Sequence, residues 1–132
     1  MRSTQHWRES LRVENERRMP DRTLRLLGLA KRAGKTVDGA PLIFAAMHRG
    51  RAPLLVLAAA DASPASRKKI RSQCAFYRVP LLFTEYTKEL LGHTVGKDGP
   101  VAAVAVTDAG LAEELKKSSG KEASVPDGNE EE

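Results

Sequence analysis

The sequence predicts an α/β fold: a three-layer α/β/α sandwich around a mixed, four-stranded sheet. Three observations carry that prediction. The apolar runs Leu54 to Ala60, Pro80 to Phe83 and Val101 to Val106 are continuous rather than alternating, so strands built from them have both faces covered. Segments with helical spacing and helix-start or helix-stop residues stand between those runs. A fourth and shortest run, Lys35 to Val37, follows a basic helix and a glycine, and helices alternating with strands are the pattern of a layered α/β domain.

Each element has a local reason. Met1 to Pro20 alternates charge and polarity, with a short amphipathic helix over Trp7 to Met19 as its one structured option, and is expected to be an N-terminal extension. Leu24, Leu27 and Lys31 interleave with Leu26, Leu29 and Ala33 around a first core helix, which Gly34 ends by taking a left-handed conformation. Asp38 is the expected N-cap of a second helix that stops at Gly50. Ser63-Pro64 gives the third helix a capping hydroxyl followed by proline at the first position, where a missing N–H costs nothing. Ile70, Cys74 and Tyr77 then fall on one face of it. Ser118 to Glu132 is rich in Ser, Gly and Glu without apolar periodicity, and reads as a disordered acidic tail. The expected organisation is therefore an extension over residues 1–21, a domain over 22–117 and a tail over 118–132.

Charge is uneven along the chain. Residues 22–117 carry 16 basic and 8 acidic side chains, a net of +8, while 118–132 carry 1 and 5. Within residues 22–80, 12 basic side chains face only Asp38 and Asp61. That density suits a polyanion, because every phosphate neutralised releases condensed counterions. Other classes find little support. One cysteine makes no internal disulfide, no apolar run approaches the roughly 20 residues of a membrane span, and residues 1–20 lack the apolar region of a signal peptide, so the expected compartment is the cytoplasm. His6, His48 and His93 are scattered, Cys74 stands alone, and no nucleophile–base order or phosphate loop appears. No catalysis, no metal and no cofactor are expected.

The segment Leu26-Leu27-Gly28-Leu29-Ala30-Lys31-Arg32-Ala33-Gly34-Lys35-Thr36-Val37-Asp38-Gly39 is the most informative, since it sets a fresh helix start close in sequence to several cations. Free N–H groups in a first helical turn favour phosphate. The order continues through Met47-His48-Arg49-Gly50, Arg67-Lys68-Lys69-Ile70, Cys74 to Pro80, Thr87 to Gly92, Val95-Gly96-Lys97 and Thr107-Asp108-Ala109-Gly110. Over roughly Arg22 to Lys117 this order resembles the kink-turn RNA-binding ribosomal protein family, and most nearly its small bacterial members of the YlxQ type. The resemblance implies the same three-layer fold and a non-catalytic role on structured RNA.

In the resembled family the glycine that opens the second helix is followed by a polar and acidic pair and, three positions after the acid, a lysine, which meet the sheared guanines and phosphates of a kink-turn. The glycine matches Gly39, but the other positions read Pro41, Leu42 and Ala45. Pro41 donates nothing, Leu42 accepts nothing from a guanine edge, and Ala45 cannot reach a phosphate. The scaffold and its cations remain. The expected RNA-binding residues are Lys31, Arg32, Lys35, Gly39, Arg51, Thr94, Val95 and Lys97, the last three in a loop that in relatives packs beside the RNA. Arg67, Lys68, Lys69 and Arg71 cover three sides of a helix, so only part of that run can face one ligand.

The expected partner is structured RNA, ribosomal RNA first, with ribosomal proteins as further contacts and no membrane, and selectivity for kink-turns should be reduced. Two alternatives stay open. Pro41, Leu42, Ile43 and Phe44 could form a protein-interaction face on a domain that has lost RNA binding, a reading that gains if Leu42 and Phe44 are both exposed. The domain could also position RNA for an enzyme carried by another chain.

Overall fold

The computed structural model describes residues 20–127. Among these the order is α1 (Pro20–Arg32), β1 (Thr36–Asp38), α2 (Ala40–His48), β2 (Leu55–Ala58), α3 (Pro64–Tyr77), β3 (Leu81–Phe83), α4 (Lys88–Thr94), β4 (Ala103–Val106) and α5 (Ala109–Ser119). The helix considered over Trp7 to Met19 lies outside the described residues.

The strands form one mixed sheet in the order β1-β4-β2-β3. β4 runs antiparallel to β1 and β2, and β2 runs parallel to β3. Because side chains alternate along a strand, the sheet divides the core in two. Leu55, Leu57, Val104 and Val106 pack under α1, α4 and α5 with Leu27, Leu91 and Leu115, while Val56, Ala58, Ala103 and Ala105 pack under α2 and α3 with Ile43, Met47, Ile70 and Cys74. Each large side chain so enclosed contributes on the order of 2 kcal/mol. Both faces being covered is the physical reason that the strands read as continuous apolar runs.

Helix ends follow local chemistry. Ser63, Thr87 and Asp108 cap α3, α4 and α5 by accepting from the amides of Ser66, Leu90 and Leu111 at 3.1, 3.1 and 2.9 Å. Gly34, at φ 73°, lets the Lys35 amide return to Ala30 O at 2.9 Å and turns the chain out of α1. Two expectations are corrected. Asp38 is not the cap of α2 but the last residue of β1, since strand alternation turns its side chain to the α1 side while Val37 packs on the other. The tail is not structureless from Ser118: α5 runs through Ser119, Ala123 packs against the core, and Ser124 bridges Leu81 in antiparallel sense. The strands themselves are shorter than their apolar runs.

The register fixes two ends of the sheet. Asp38, Ala58, Phe83 and Ala103 lie at one; Thr36, Leu55, Leu81 and Val106 lie at the other. α2, α3 and α4 all start from the Asp38 end, and α1, α2 and α3 all finish at the Thr36 end.

Candidate nucleic-acid interface

The chain leaves β1 and enters α2 within one residue. Gly39 makes that turn at φ 101° and ψ 141°, a backbone state that side chains rarely adopt, with its amide on Ala103 O at 2.9 Å and its carbonyl accepting from Ile43 N at 3.0 Å. No side chain caps α2, and its first turn holds no acid. The amides of Ala40 and Leu42 therefore face outward at the positive end of the helix, while Pro41 supplies none. Pro41 is exposed and Leu42 is 53% exposed, so an apolar surface occupies the place where polar side chains would otherwise stand.

Lys31 is the cation that reaches this turn. Its Nζ donates to Asp38 Oδ2 at 2.6 Å, with the lysine side chain 43% exposed and the aspartate 6%. Asp38 Oδ1 is buried without a hydrogen-bond partner. Lys31 therefore neutralises a buried carboxylate, and only part of its charge is left for a ligand. One turn earlier in α1, Gly28 faces the Thr94 carbonyl 4.0 Å from where a Cβ would stand, which brings the end of α4 to the same side. Thr94 is half-buried and donates Oγ1 to Leu90 O at 2.8 Å. Val95, expected at the RNA surface, instead has its side chain fully buried in the core cluster with Leu27 and Leu91. Lys97 is exposed, its amide held by Gly92 O at 2.8 Å.

The other expected cations lie elsewhere. Arg32, Lys35 and Arg51 are exposed at the Thr36 end, with the length of β1 between Lys35 and Gly39, roughly 13 Å for four extended steps. Closeness in sequence thus does not become closeness in space. The loops of the two ends also differ in charge. At the Thr36 end they carry Lys35, Arg49, Arg51 and Arg78 against Asp108, whereas at the Asp38 end they carry Lys97 against Asp61, Glu85 and Asp98.

The basic run on α3 splits as its helical spacing requires. Arg67 and Arg71 stand over the Phe83 ring at 5.2 and 5.3 Å, and Lys69 covers the Phe44 ring at 5.1 Å. Phe44 is thus partly buried beneath Lys69, so the joint exposure of Leu42 and Phe44 that would favour a protein-contact face on α2 is not found. Cys74 is buried, and loss of solvent pushes its thiol up to about 12, which makes it an inert core group. Among the described residues no group of His, Cys, Asp and Glu could hold a metal, and no helix is long and apolar enough to cross a membrane. The residue that sequence reading missed is Asp38 as Lys31's partner. Its signal was available in the alternation of β1, where Val37 inward sets Asp38 toward α1.

This architecture matches known proteins. The profile of the ribosomal protein L7Ae/L30e/S12e/Gadd45 family matches residues 21–116. The RNA-binding protein YlxQ of Bacillus subtilis (strain 168) is 43% identical over 90 residues, which are 68% of this chain and 87% of that protein. Its namesake in Enterococcus faecium is 31% identical over 96 residues, 73% and 89% of the two chains. A solved Bacillus halodurans C protein of unknown function superposes with a TM-score of 0.66 at 29% identity, covering 75% of this chain and 97% of its own. The Giardia lamblia 15.5kD RNA binding protein shares the fold, with a TM-score of 0.62 at 22% identity over 77% and 85% of the chains.

Proposed function

Because the chain belongs to the ribosomal protein L7Ae/L30e/S12e/Gadd45 family, we propose that it is a non-catalytic protein that binds structured RNA, ribosomal RNA first, in the cytoplasm and with weak preference for kink-turns. The observation that carries this reading is the 43% identity to a relative named as RNA-binding over 87% of that relative's length. The net charge of +8 over residues 22–117 supports it, since attraction to phosphate is independent of sequence and falls with salt.

The RNA meets the start of α2, flanked by Lys31 and by the Thr94 to Lys97 loop. Open amides of Ala40 and Leu42 donate to a phosphate oxygen at the positive end of the helix, and Lys97 neutralises a neighbouring phosphate. Such contacts fix position and carry little sequence information. Base reading needs an acceptor for a guanine edge. Leu42 has none, and Asp38 is no substitute, because it is buried and already engaged by Lys31. The complex is therefore held by backbone charge and RNA shape.

Gel-shift titrations on a kink-turn and on a plain duplex test this reading. The unmodified chain should bind both, with affinities within about tenfold of each other, a difference of about 1.4 kcal/mol. Pro41→Asn, Leu42→Glu and Ala45→Lys together should raise the preference for the kink-turn, each recovered contact contributing on the order of 1 kcal/mol. Binding of neither RNA overturns the proposal, and strong kink-turn selectivity in the unmodified chain overturns the weak preference.

A further inference from the structure

The Thr36 end of the sheet carries a cluster that the reading above leaves unused. Phe76, near the end of α3, is 77% exposed, more than any other large apolar side chain among the described residues. Its ring meets Tyr77 edge to face at 4.8 Å between centroids, and the ring of His48, at the end of α2, lies tilted at 5.8 Å from Tyr77. A single exposed apolar residue is ordinary. Three rings in series on two adjacent helix ends form a platform whose outer ring is held in place and whose face is open to solvent.

Two further observations give that platform a partner. The loops at this end hold four cations and one carboxylate, the reverse of the other end, and Asp108, the one acid, is occupied in capping α5. The chain also keeps an arginine where the backbone favours glycine. Arg78 sits at φ 58°, the only non-glycine left-handed residue described, and closes α3 through its amide to Ala75 O and that of Val79 to Cys74 O. The corresponding left-handed positions after α1, α2 and α5 are Gly34, Gly50 and Gly120. A helix C-terminus attracts cations, which accounts for Arg49, but that attraction does not require a strained backbone. A side chain retained at the cost of conformational energy points to a role for the side chain.

We propose that this end of the molecule is a second RNA surface, for an unpaired segment: one base stacks on Phe76, and Arg49 and Arg78 neutralise the phosphates on either side. Aromatic faces with interleaved cations hold single strands of any sequence, because every base has a π-face. The surface is separate from the α2 start, which lies at the opposite end of the sheet. The proposal rests on the reading of the chain as an RNA binder.

Fluorescence anisotropy with a labelled short oligouridylate and a labelled kink-turn RNA, on the full chain, tests it. Phe76→Ala should weaken oligouridylate binding by about tenfold, the effect of one stacked base, and Phe76→Tyr should keep it. Arg49→Gln with Arg78→Gly should lower the slope of log affinity against log salt by about 1.4, two phosphates on a single strand. Arg78→Gly should fold at least as stably as the parent, which separates lost binding from lost structure. Kink-turn binding should survive all of these changes. Oligouridylate affinity unaltered by Phe76→Ala and by the arginine pair overturns the proposal. So does a parent chain that binds the kink-turn and no oligouridylate, which leaves the first reading standing, whereas binding of neither overturns both. Light scattering that shows a dimer dissolved by Phe76→Ala assigns the platform to self-association and also overturns it.

Discussion

At the scale of single residues, the Lys31 and Asp38 pair shows how one contact changes the meaning of a motif. A lysine in a basic segment reads as a phosphate ligand, yet here it holds a carboxylate that β1 turns inward. The pair is half desolvated, with Lys31 43% exposed and Asp38 6%. Removing only the lysine leaves a buried, uncompensated charge, which costs far more than the pair is worth as a unit. Lys31→Met should therefore lose roughly 2 kcal/mol in urea unfolding, below the range for fully buried pairs because water still reaches the ammonium. Lys31→Met combined with Asp38→Val should recover most of that loss. Equal losses in the single and double variants would mean that the two side chains do not interact in solution.

At the scale of elements, the strands and helices were legible because their signals are local. Ser63-Pro64 starts α3 and Gly34 ends α1 through hydrogen bonds that span only a few residues. The site was less legible, since its parts meet only through the register. β1 carries the chain from Lys35 at one end of the sheet to Gly39 at the other, and no sequence pattern states that separation. The burial of Val95 was hidden for the same reason: an apolar residue after a helix looks available in sequence, yet its side chain joins the core cluster of Leu27 and Leu91. The α4 to β4 connection depends on Gly92. A Cβ there would collide with the Gly99 carbonyl oxygen and come within 3.1 Å of its carbon and 3.3 Å of Pro100 Cα, all of them backbone atoms unable to rotate away. Gly92→Ala should cost about 1–3 kcal/mol of stability, the range for overpacking a tight contact. By displacing the loop from Gly96 on, it should also weaken RNA binding that uses Lys97. A variant as stable as the parent in denaturant titration would show that the loop shifts without resistance.

At the scale of the whole molecule, the question is where the domain ends. The family profile stops at residue 116, and composition alone sets the tail apart from Ser118. The structure carries the fold further. Thr23 Oγ1 and Ser118 Oγ lie 2.7 Å apart, joining α1 to α5, and Gly120 then turns the chain at φ 71° toward the open edge of β3. There Leu81 N donates to Ser124 O at 2.9 Å and Ser124 N donates to Leu81 O at 3.4 Å, while Lys121 Nζ donates to Phe83 O at 3.4 Å. A lone bridge leaves no periodicity in the sequence, which is why this cover was not visible there. β3 is an edge strand, and an uncovered edge is a template for pairing with another chain. We infer that the folding unit runs through Asp127. Truncation after Gly120 removes the bridge and the packing of Ala123, a loss of about 1 kcal/mol in a domain of this size, and should lower Tm by about 4–8 °C. It should also give concentration-dependent association in light scattering. Truncation after Asp127 should do neither. An unchanged Tm and a monodisperse shorter chain would show that the segment lies along β3 without protecting it, and would return the boundary to the end of α5.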